Sequence, residues 1–553
     1  MDGGWSMTRA DPSGWQVRWD AARAASLIAT GAWANLTMAD HATALVNRSP
    51  NRVLAVEGDE SFTAAALFAK SRKLADAMLR RGLRRGDRIS FQLPNWHETM
   101  IIDLAATLAG MIVNPLVPIF REAEVGFMTR EMGSRMIFVP AVFRGYDYVG
   151  MMGRVLAAAA GPPPEVVVVR GDAGHHTPFE ALLASGQEGV QLPEVCPHDV
   201  KLALYTSGTT GRAKAVLHSH NTVGVMAEQF RTHMRITERD SLLVSSPVTH
   251  ISGAILAFQL PWISGARAIL LDVWNGSHAA ELIREHAITL ANGTAPFISD
   301  ILQASEATGH RMPSLRVFLA GGAGIPQALA EEAYRRLENC VLFRCYGSTE
   351  VPTVTLGSMD RADMRLNVST DGRPVFSELK IVDPVTELAV PAGAEGEIMM
   401  RGAQTMLGYL RQEDNLTAFD ADGFFRSGDL GRFVLEDWIE ISGRSKDIII
   451  RSGENLSPKE IEDALLAHPD IATVAIVAKP SERTGEAACA FVVPKPGRVP
   501  TLKTIADLLI ARGFAKQKIP EHLVIVDALP TTAAGKVQKH LLRERAKSMG
   551  FEA

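Results

Sequence analysis

Residues 205–214 read YTSGTTGRAK, and this stretch decides the fold. Ten residues hold two glycines and five hydroxyl groups, with Arg212 and Lys214 at the end. Glycine lets a backbone approach an anion closely, hydroxyls donate hydrogen bonds, and cations neutralise charge. A loop of this kind suits a polyphosphate. The preceding residues 201–204 (KLAL) read as the end of a strand, and the chain beyond runs toward a helical stretch. The loop is therefore expected at the carboxyl end of a strand, where α/β proteins bind ligands.

An ordinary Gly/Thr turn is the plain alternative for so short a string. Another is the NTPase loop G-x-x-x-x-G-K-[ST], but counting from Gly208 puts Ala213 at the second glycine and Ala215 where Ser or Thr would reach magnesium. The string instead resembles the signature of the adenylate-forming superfamily: acyl-CoA synthetases, luciferases and peptide-synthetase adenylation domains. That signature usually has Pro at 213 and Gly at 215, so alanine at both places is a mild departure. The resemblance implies that Thr206, Ser207, Gly208, Thr209, Thr210 and Lys214 bind ATP.

A chain of 553 residues exceeds what one core normally serves, so two or more domains are expected. With 46% hydrophobic and 22% charged residues the composition is that of an ordinary globular protein. A net charge of −5 gives no electrostatic reason to expect nucleic acid. Cys196, Cys340, Cys345 and Cys489 have no metal-like spacing, which argues against a zinc site or disulfide framework and fits a reducing, cytoplasmic setting. The N-terminus is polar and broken by Gly and Pro, unlike a signal peptide, and no apolar run reaches the ~20 residues that span a bilayer.

The pattern predicts α/β architecture: a large N-terminal domain of parallel sheets flanked by helices, with a β-rich cap, then a small α+β C-terminal domain, which the resemblance implies is mobile. Helices are expected over 63–83, 97–110, 277–286 and 328–337, and strands over 88–93, 136–140, 266–271 and 315–320. After Gly372 short strands take over at 378–382 and 395–400, with a hairpin at 431–441. Residues 457–460 (SPKE) form a capping box with Pro at the first helical position. The resemblance implies a division into 1–445, binding nucleotide and acyl group, and 446–553, carrying the catalytic lysine.

Four further motifs follow in the superfamily's order. Residues 346–350 read YGSTE; alone they would be a strand-end turn. The resemblance implies that Tyr346 and Gly347 line the adenine site, Thr349 bonds the α-phosphate and Glu350 binds Mg²⁺, in keeping with magnesium's preference for carboxylate oxygen. Asp429 (RSGDL) would accept the ribose hydroxyls and Arg444 (GRSKD) would donate to the same sugar. Lys446 falls at the hinge and Gly453 where the pantetheine arm of CoA passes; outside this motif Lys446 would read as a solvated lysine. Residues 530–539 read PTTAAGKVQK, and Lys536 corresponds to the catalytic lysine, whereas Lys539 and Lys547 read as a solvated tail. His250 (SPVTHISG) would gate the substrate carboxylate, and the segment holds no acid that could pair a substrate amine. Gly321, Gly322 and Ala323 would line an acyl pocket together with residues 293–297 (GTAPF).

The stretches FQLPNWHE, NPLVPIFREAE and LPTTAAGKVQKHLLR look similar to bacterial short- and medium-chain acyl-CoA synthetases and cyclohexanecarboxylate–CoA ligases. The resemblance implies an ATP-dependent acid–thiol ligase with ATP, Mg²⁺ and CoA as cofactors and a medium-chain fatty or alicyclic acid as substrate. An adenylating enzyme that loads a carrier protein is the alternative. Residues 530–536 have the form Pro-x-x-x-x-Gly-Lys, which resembles the site where acyl-CoA synthetases are switched off by acetylation. A lysine acetyltransferase acting on Lys536 is therefore one candidate macromolecular partner; a second copy in a homodimer is another, for which the sequence gives no signal.

Overall fold

The computed structural model describes residues 8–158, 161–206, 212–321, 325–451, 454–481, 484–512, 514, 516–532 and 535–549. Two sheets organise the large domain. The first has seven strands in the order Thr177–Pro178, Glu165–Val169, Met136–Pro140, Arg88–Phe91, Ile112–Pro115, Val200–Thr206 and Lys214–Ser219; all neighbours are parallel except the last pair. The second has nine strands, with a parallel core from Val341–Tyr346 to Val53–Glu57 and antiparallel pairs at both edges.

The helix His97–Ala109 joins the two sheets in one core. Its apolar residues are buried all round rather than on one stripe, as a helix enclosed in a large core requires. It carries Asp103, which is buried and accepts two 3.0 Å hydrogen bonds from the Lys201 ammonium; Lys201 also donates to Thr107 at 2.9 Å. Removing either charge would leave the other buried alone, so the pair fixes how helix and strand meet.

The expected helices and strands are present within a few residues of their sequence bounds, for example Ala64–Arg80, Gly276–Glu285, Gln327–Arg336 and Val317–Ala320. One expectation fails. The phosphate loop does not lead into a helix: it joins Val200–Thr206 to Lys214–Ser219 as an antiparallel hairpin, and Thr206 pairs with Lys214. The helix His220–His233 starts only after that strand, capped by the Ser219 side chain. The run AVLHS is too short for periodicity to separate strand from helix.

A four-stranded antiparallel sheet, Ser377–Val382, Gly396–Gly402, Phe425–Leu435 and Trp438–Arg444, forms the β-rich cap. The 3₁₀ turn Ser445–Asp447 then leads into the small domain. That domain is a five-stranded sheet with Pro458–Leu465 and Leu502–Ala511 on one face and Lys539–Ser548 on the other. The capping box forms only in part. The Ser457 hydroxyl accepts from the Glu460 backbone N–H, but the Glu460 carboxylate is taken by the Lys518 ammonium at 2.7 Å. Ser457 Oγ also donates to the Ser442 carbonyl at 2.5 Å, which ties the helix to the strand before the hinge turn. Lys539 is not a solvated tail residue: it is mostly covered and pairs with Glu462 at 2.6 Å, while Lys547 is exposed and pairs with Glu544. Among the described residues no helix is long and apolar enough to cross a membrane.

Candidate active site

Strand ends gather the functional residues. Tyr346 closes Val341–Tyr346, and Gly347 begins a turn that doubles back on itself. A β-carbon on Gly347 would lie 2.4 Å from the Thr353 amide nitrogen, so only glycine fits. The turn presents Thr349 and Glu350 beside the hairpin strand. His218, on Lys214–Ser219, donates from Nε2 to the Thr349 carbonyl at 2.7 Å, and its Nδ1 accepts from the Thr222 hydroxyl at 3.0 Å. Burial pushes the His218 pKa down to about 4, so the ring is neutral at pH 7 and acts as a fixed strut. Sequence reasoning passed over His218; a histidine inside a strand gives no signal until the partner strand end is known.

Asp429 and Arg444 face each other across paired strands. The Arg444 Nε forms an ion pair with Asp429 Oδ1 at 2.7 Å, and the Tyr346 hydroxyl donates to Oδ2 at 2.9 Å. Asp429 is buried. A carboxylate offers about four lone-pair sites, so two bonds leave capacity for a pair of vicinal hydroxyls. Burial, then the neighbouring Asp429 charge, raises the Tyr346 pKa, so its phenol stays protonated and donates.

Glu350 accepts a 2.8 Å hydrogen bond at Oε1 from the Tyr409 hydroxyl. Its Oε2 makes no hydrogen bond with the described residues, so one hard oxygen is left that fits Mg²⁺. Lys214 pairs with Asp414 at 3.0 Å and lies 4.9 Å from the centre of the Tyr409 ring. Thr206 ends the strand that enters the phosphate loop. Ser207, Gly208, Thr209 and Thr210 lie outside the described residues, as do Gly322, Ala323 and Gly453.

His250 ends the loop after the strand Ser241–Val244 and is the N-cap residue of the turn Ile251–Ala254. The helix continues through a π turn, Ile255–Gln259, into Leu260–Ser264. Burial lowers the His250 pKa, and Nε2 is a buried ring atom with no hydrogen-bond partner. The buried Thr294 hydroxyl is likewise unpartnered. Unsatisfied buried polar atoms are costly and are frequently ligand-facing. Gly321 packs on Cys345: a β-carbon there would meet Sγ at 2.6 Å.

The small domain completes the cleft. A β-carbon at Gly535 would lie 3.0 Å from Thr294 Oγ1, so Gly535, next to Lys536, rests on the large domain. Lys536 is crowded by protein on one side and open to solvent on the other, and its ammonium makes no hydrogen bond or ion pair with the described residues. Desolvation on the crowded side, then the Arg444 charge, lowers its pKa to about 8, against the pull of Asp429. Lys446 lies in the turn Ser445–Asp447, and Asp447 pairs with Arg543 at 2.5 Å, which ties the turn to the last helix.

The chain matches known proteins along almost its whole length. The profile described as AMP-binding enzyme covers residues 42–410, and that of the AMP-binding enzyme C-terminal domain covers 460–536. The chain belongs to this AMP-binding, adenylate-forming family. It is an AMP-forming acid–thiol ligase that activates a carboxylic acid with ATP, and it works with ATP, Mg²⁺ and CoA. It is 34% identical over 525 residues to the medium-chain fatty-acid–CoA ligase of Escherichia coli, covering 93% of this chain and 91% of that one. It is 28% identical to the 2,3-dihydroxybenzoate-AMP ligase of Bacillus subtilis, covering 93% and 94%. Among solved structures, ATP-bound MatB from Rhodopseudomonas palustris superposes with a TM-score of 0.81 at 25% identity, covering 93% of this chain and all of that one (100%). Apo MatB from the same organism, at 25% identity and 93% and 99% coverage, gives 0.71. Identity and coverage are nearly equal, so the difference lies in arrangement rather than sequence.

Proposed function

We propose that the protein converts a medium-chain fatty or alicyclic carboxylic acid to its acyl-AMP and then to its CoA thioester. The observation that supports this reading most is Lys536 standing over the Asp429, Arg444 and Thr294 wall, with its ammonium committed to no protein partner. In the first step Thr206, Ser207, Gly208, Thr209, Thr210 and Lys214 hold the β- and γ-phosphates, and Tyr346 and Gly347 line the adenine. Asp429 and Arg444 hold the ribose, and Thr349 bonds the α-phosphate. Glu350 holds Mg²⁺, which neutralises phosphate charge when bound. Lys536 stabilises the charge that develops as the substrate carboxylate attacks the α-phosphorus and pyrophosphate leaves. His250 and Thr294 orient that carboxylate, and Gly321, Gly322 and Ala323 border the acyl chain. No covalent enzyme intermediate is involved; positioning and electrostatics supply the rate.

In the second step the small domain, residues 446–553, turns about Lys446, Lys536 withdraws, and the CoA thiol enters past Gly453. A panel of carboxylic acids read by pyrophosphate release tests the reading. Medium-chain and alicyclic acids should give the highest kcat/KM; no release with any of them would refute it. The likeness to a 2,3-dihydroxybenzoate-AMP ligase keeps a carrier protein as the second acceptor to compare with CoA. Lys536 is open to solvent, as a site for a lysine acetyltransferase must be, and acetylation would remove the charge the first step needs.

A further inference from the structure

Tyr409 is absent from the site read off the sequence, yet it touches both halves of the phosphate-binding machinery. Its hydroxyl donates to Glu350 Oε1 at 2.8 Å, and its ring carries the Lys214 ammonium 4.9 Å from its centre. Lys214 is in turn paired with Asp414 at 3.0 Å. A chain of contacts therefore runs from Asp414 through the phosphate-loop lysine and the Tyr409 ring to the carboxylate of Glu350.

The backbone holds Tyr409 tightly. Its N–H donates to Asn415 Oδ1 at 2.7 Å, and the same side-chain amide donates back to the Tyr409 carbonyl at 3.0 Å. Tyr409 bridges Val216 on the hairpin strand, with flanking hydrogen bonds from Leu217 to Gly408 and from Leu410 to Ala215. Gly408 has φ +109°, and a β-carbon there would meet Asn415 Oδ1 at 2.9 Å, so the approach needs glycine. A donor fixed on Oε1 sets the plane of the carboxylate and leaves Oε2 as the oxygen presented to the cleft.

We propose that Tyr409 is a positioning residue for the metal-binding carboxylate: its hydroxyl orients Glu350 for Mg²⁺, and its ring couples that carboxylate to Lys214. The inference rests on the reading of Glu350 as the metal ligand. Groups that hydrogen-bond a metal ligand typically contribute 10–100-fold in metal affinity. Tyr409→Phe keeps the ring and the cation contact and deletes only the hydroxyl.

The test is Mn²⁺ binding to the full-length enzyme with α,β-methylene-ATP, followed by electron paramagnetic resonance, for wild type, Tyr409→Phe and Glu350→Gln. The expected result is a Tyr409→Phe dissociation constant for Mn²⁺ raised about 10–100-fold, with the adenylation rate recovered by excess Mg²⁺. Weakened binding in Glu350→Gln but wild-type affinity in Tyr409→Phe would overturn the role of Tyr409 alone. Wild-type affinity in both would overturn the metal assignment of Glu350 and the inference with it. A folded Tyr409→Phe enzyme of lower melting temperature but unchanged Mn²⁺ affinity would show a purely structural hydroxyl, also against the inference.

Discussion

Asp429 and Lys536 face one cleft with opposite charges and are held in opposite ways. Asp429 lies in a long strand, is buried, and has both oxygens bonded, to Arg444 and Tyr346. Lys536 follows a short turn on the small domain, open to water on one side, its ammonium bonded to none of the described residues. The wall is preorganised, so groups bound there meet donors and acceptors already in place. Just before it, Gly535 packs on Thr294 of the large domain. A group needed in only one of two steps is best held without fixed partners, because each partner would have to be given up when it leaves.

The comparison can be broken most sharply at the lysine. Lys536→Ala should slow acyl-AMP formation about 10²–10³-fold, the range expected for loss of one aimed charge-stabilising group. Thioester formation from supplied acyl-AMP should stay within about threefold on the same argument; equal loss in both half-reactions would remove the distinction between wall and lid. Next in size is the pH effect. The folded-state pKa of Lys536 is lowered to about 8, so its proton is lost at lower pH than from an ordinary lysine. Adenylation should therefore decline roughly tenfold per pH unit above that value, and Lys536→Arg should flatten this limb because arginine remains charged. Pre-steady-state pyrophosphate release between pH 6 and 10 (about the range spanning that pKa) reads both.

The wall should respond differently. Asp429→Ala leaves Arg444 and Tyr346 without their acceptor, which should cost about 2 kcal/mol in urea denaturation as well as raising the KM for ATP. Lys536→Ala should leave that denaturation midpoint unchanged. The smallest effect is expected at His218. Its folded pKa of about 4 lies below the 6.5 of a free histidine, so its contribution to stability is present above pH 6.5 and is lost as pH falls toward 4. His218→Asn should weaken the acid dependence of stability in that window, monitored by chemical denaturation, and leave the adenylation pH profile above 7 (about the neutral range for an ordinary histidine) as it was.

The parts legible in the sequence were those with local chemistry. YGSTE begins at a strand end and RSGDL sits within the strand Phe425–Leu435; in these motifs and in PTTAAGK glycines and polar residues interrupt an apolar period, and the helices from Ala64 and His97 follow clear patterns. What was not legible depends on residues distant in the chain. Tyr409 meets Glu350 across 59 positions, and His218 meets Thr349 across 131. Neither carries a local mark: one is a tyrosine beside a glycine, the other a histidine in a strand. Lys539 read as a tail residue because its partner, Glu462, is on a helix of the opposite face of the small domain. The hairpin after the phosphate loop was hidden because six residues are too few to establish a period.

The central claim is that one arrangement of the two domains makes the acyl-AMP and another makes the thioester. The direct test joins Thr294→Cys to Gly535→Cys, since a β-carbon at Gly535 would lie 3.0 Å from the Thr294 hydroxyl, within reach of a disulfide. Both half-reactions are then measured on the oxidised and the reduced enzyme. The account predicts that the oxidised double variant releases pyrophosphate at the rate of the same variant reduced and retains acyl-AMP, that its thioester formation falls at least about tenfold, and that reduction restores it. Thioester formation by the cross-linked enzyme at the rate of the reduced one would contradict the account.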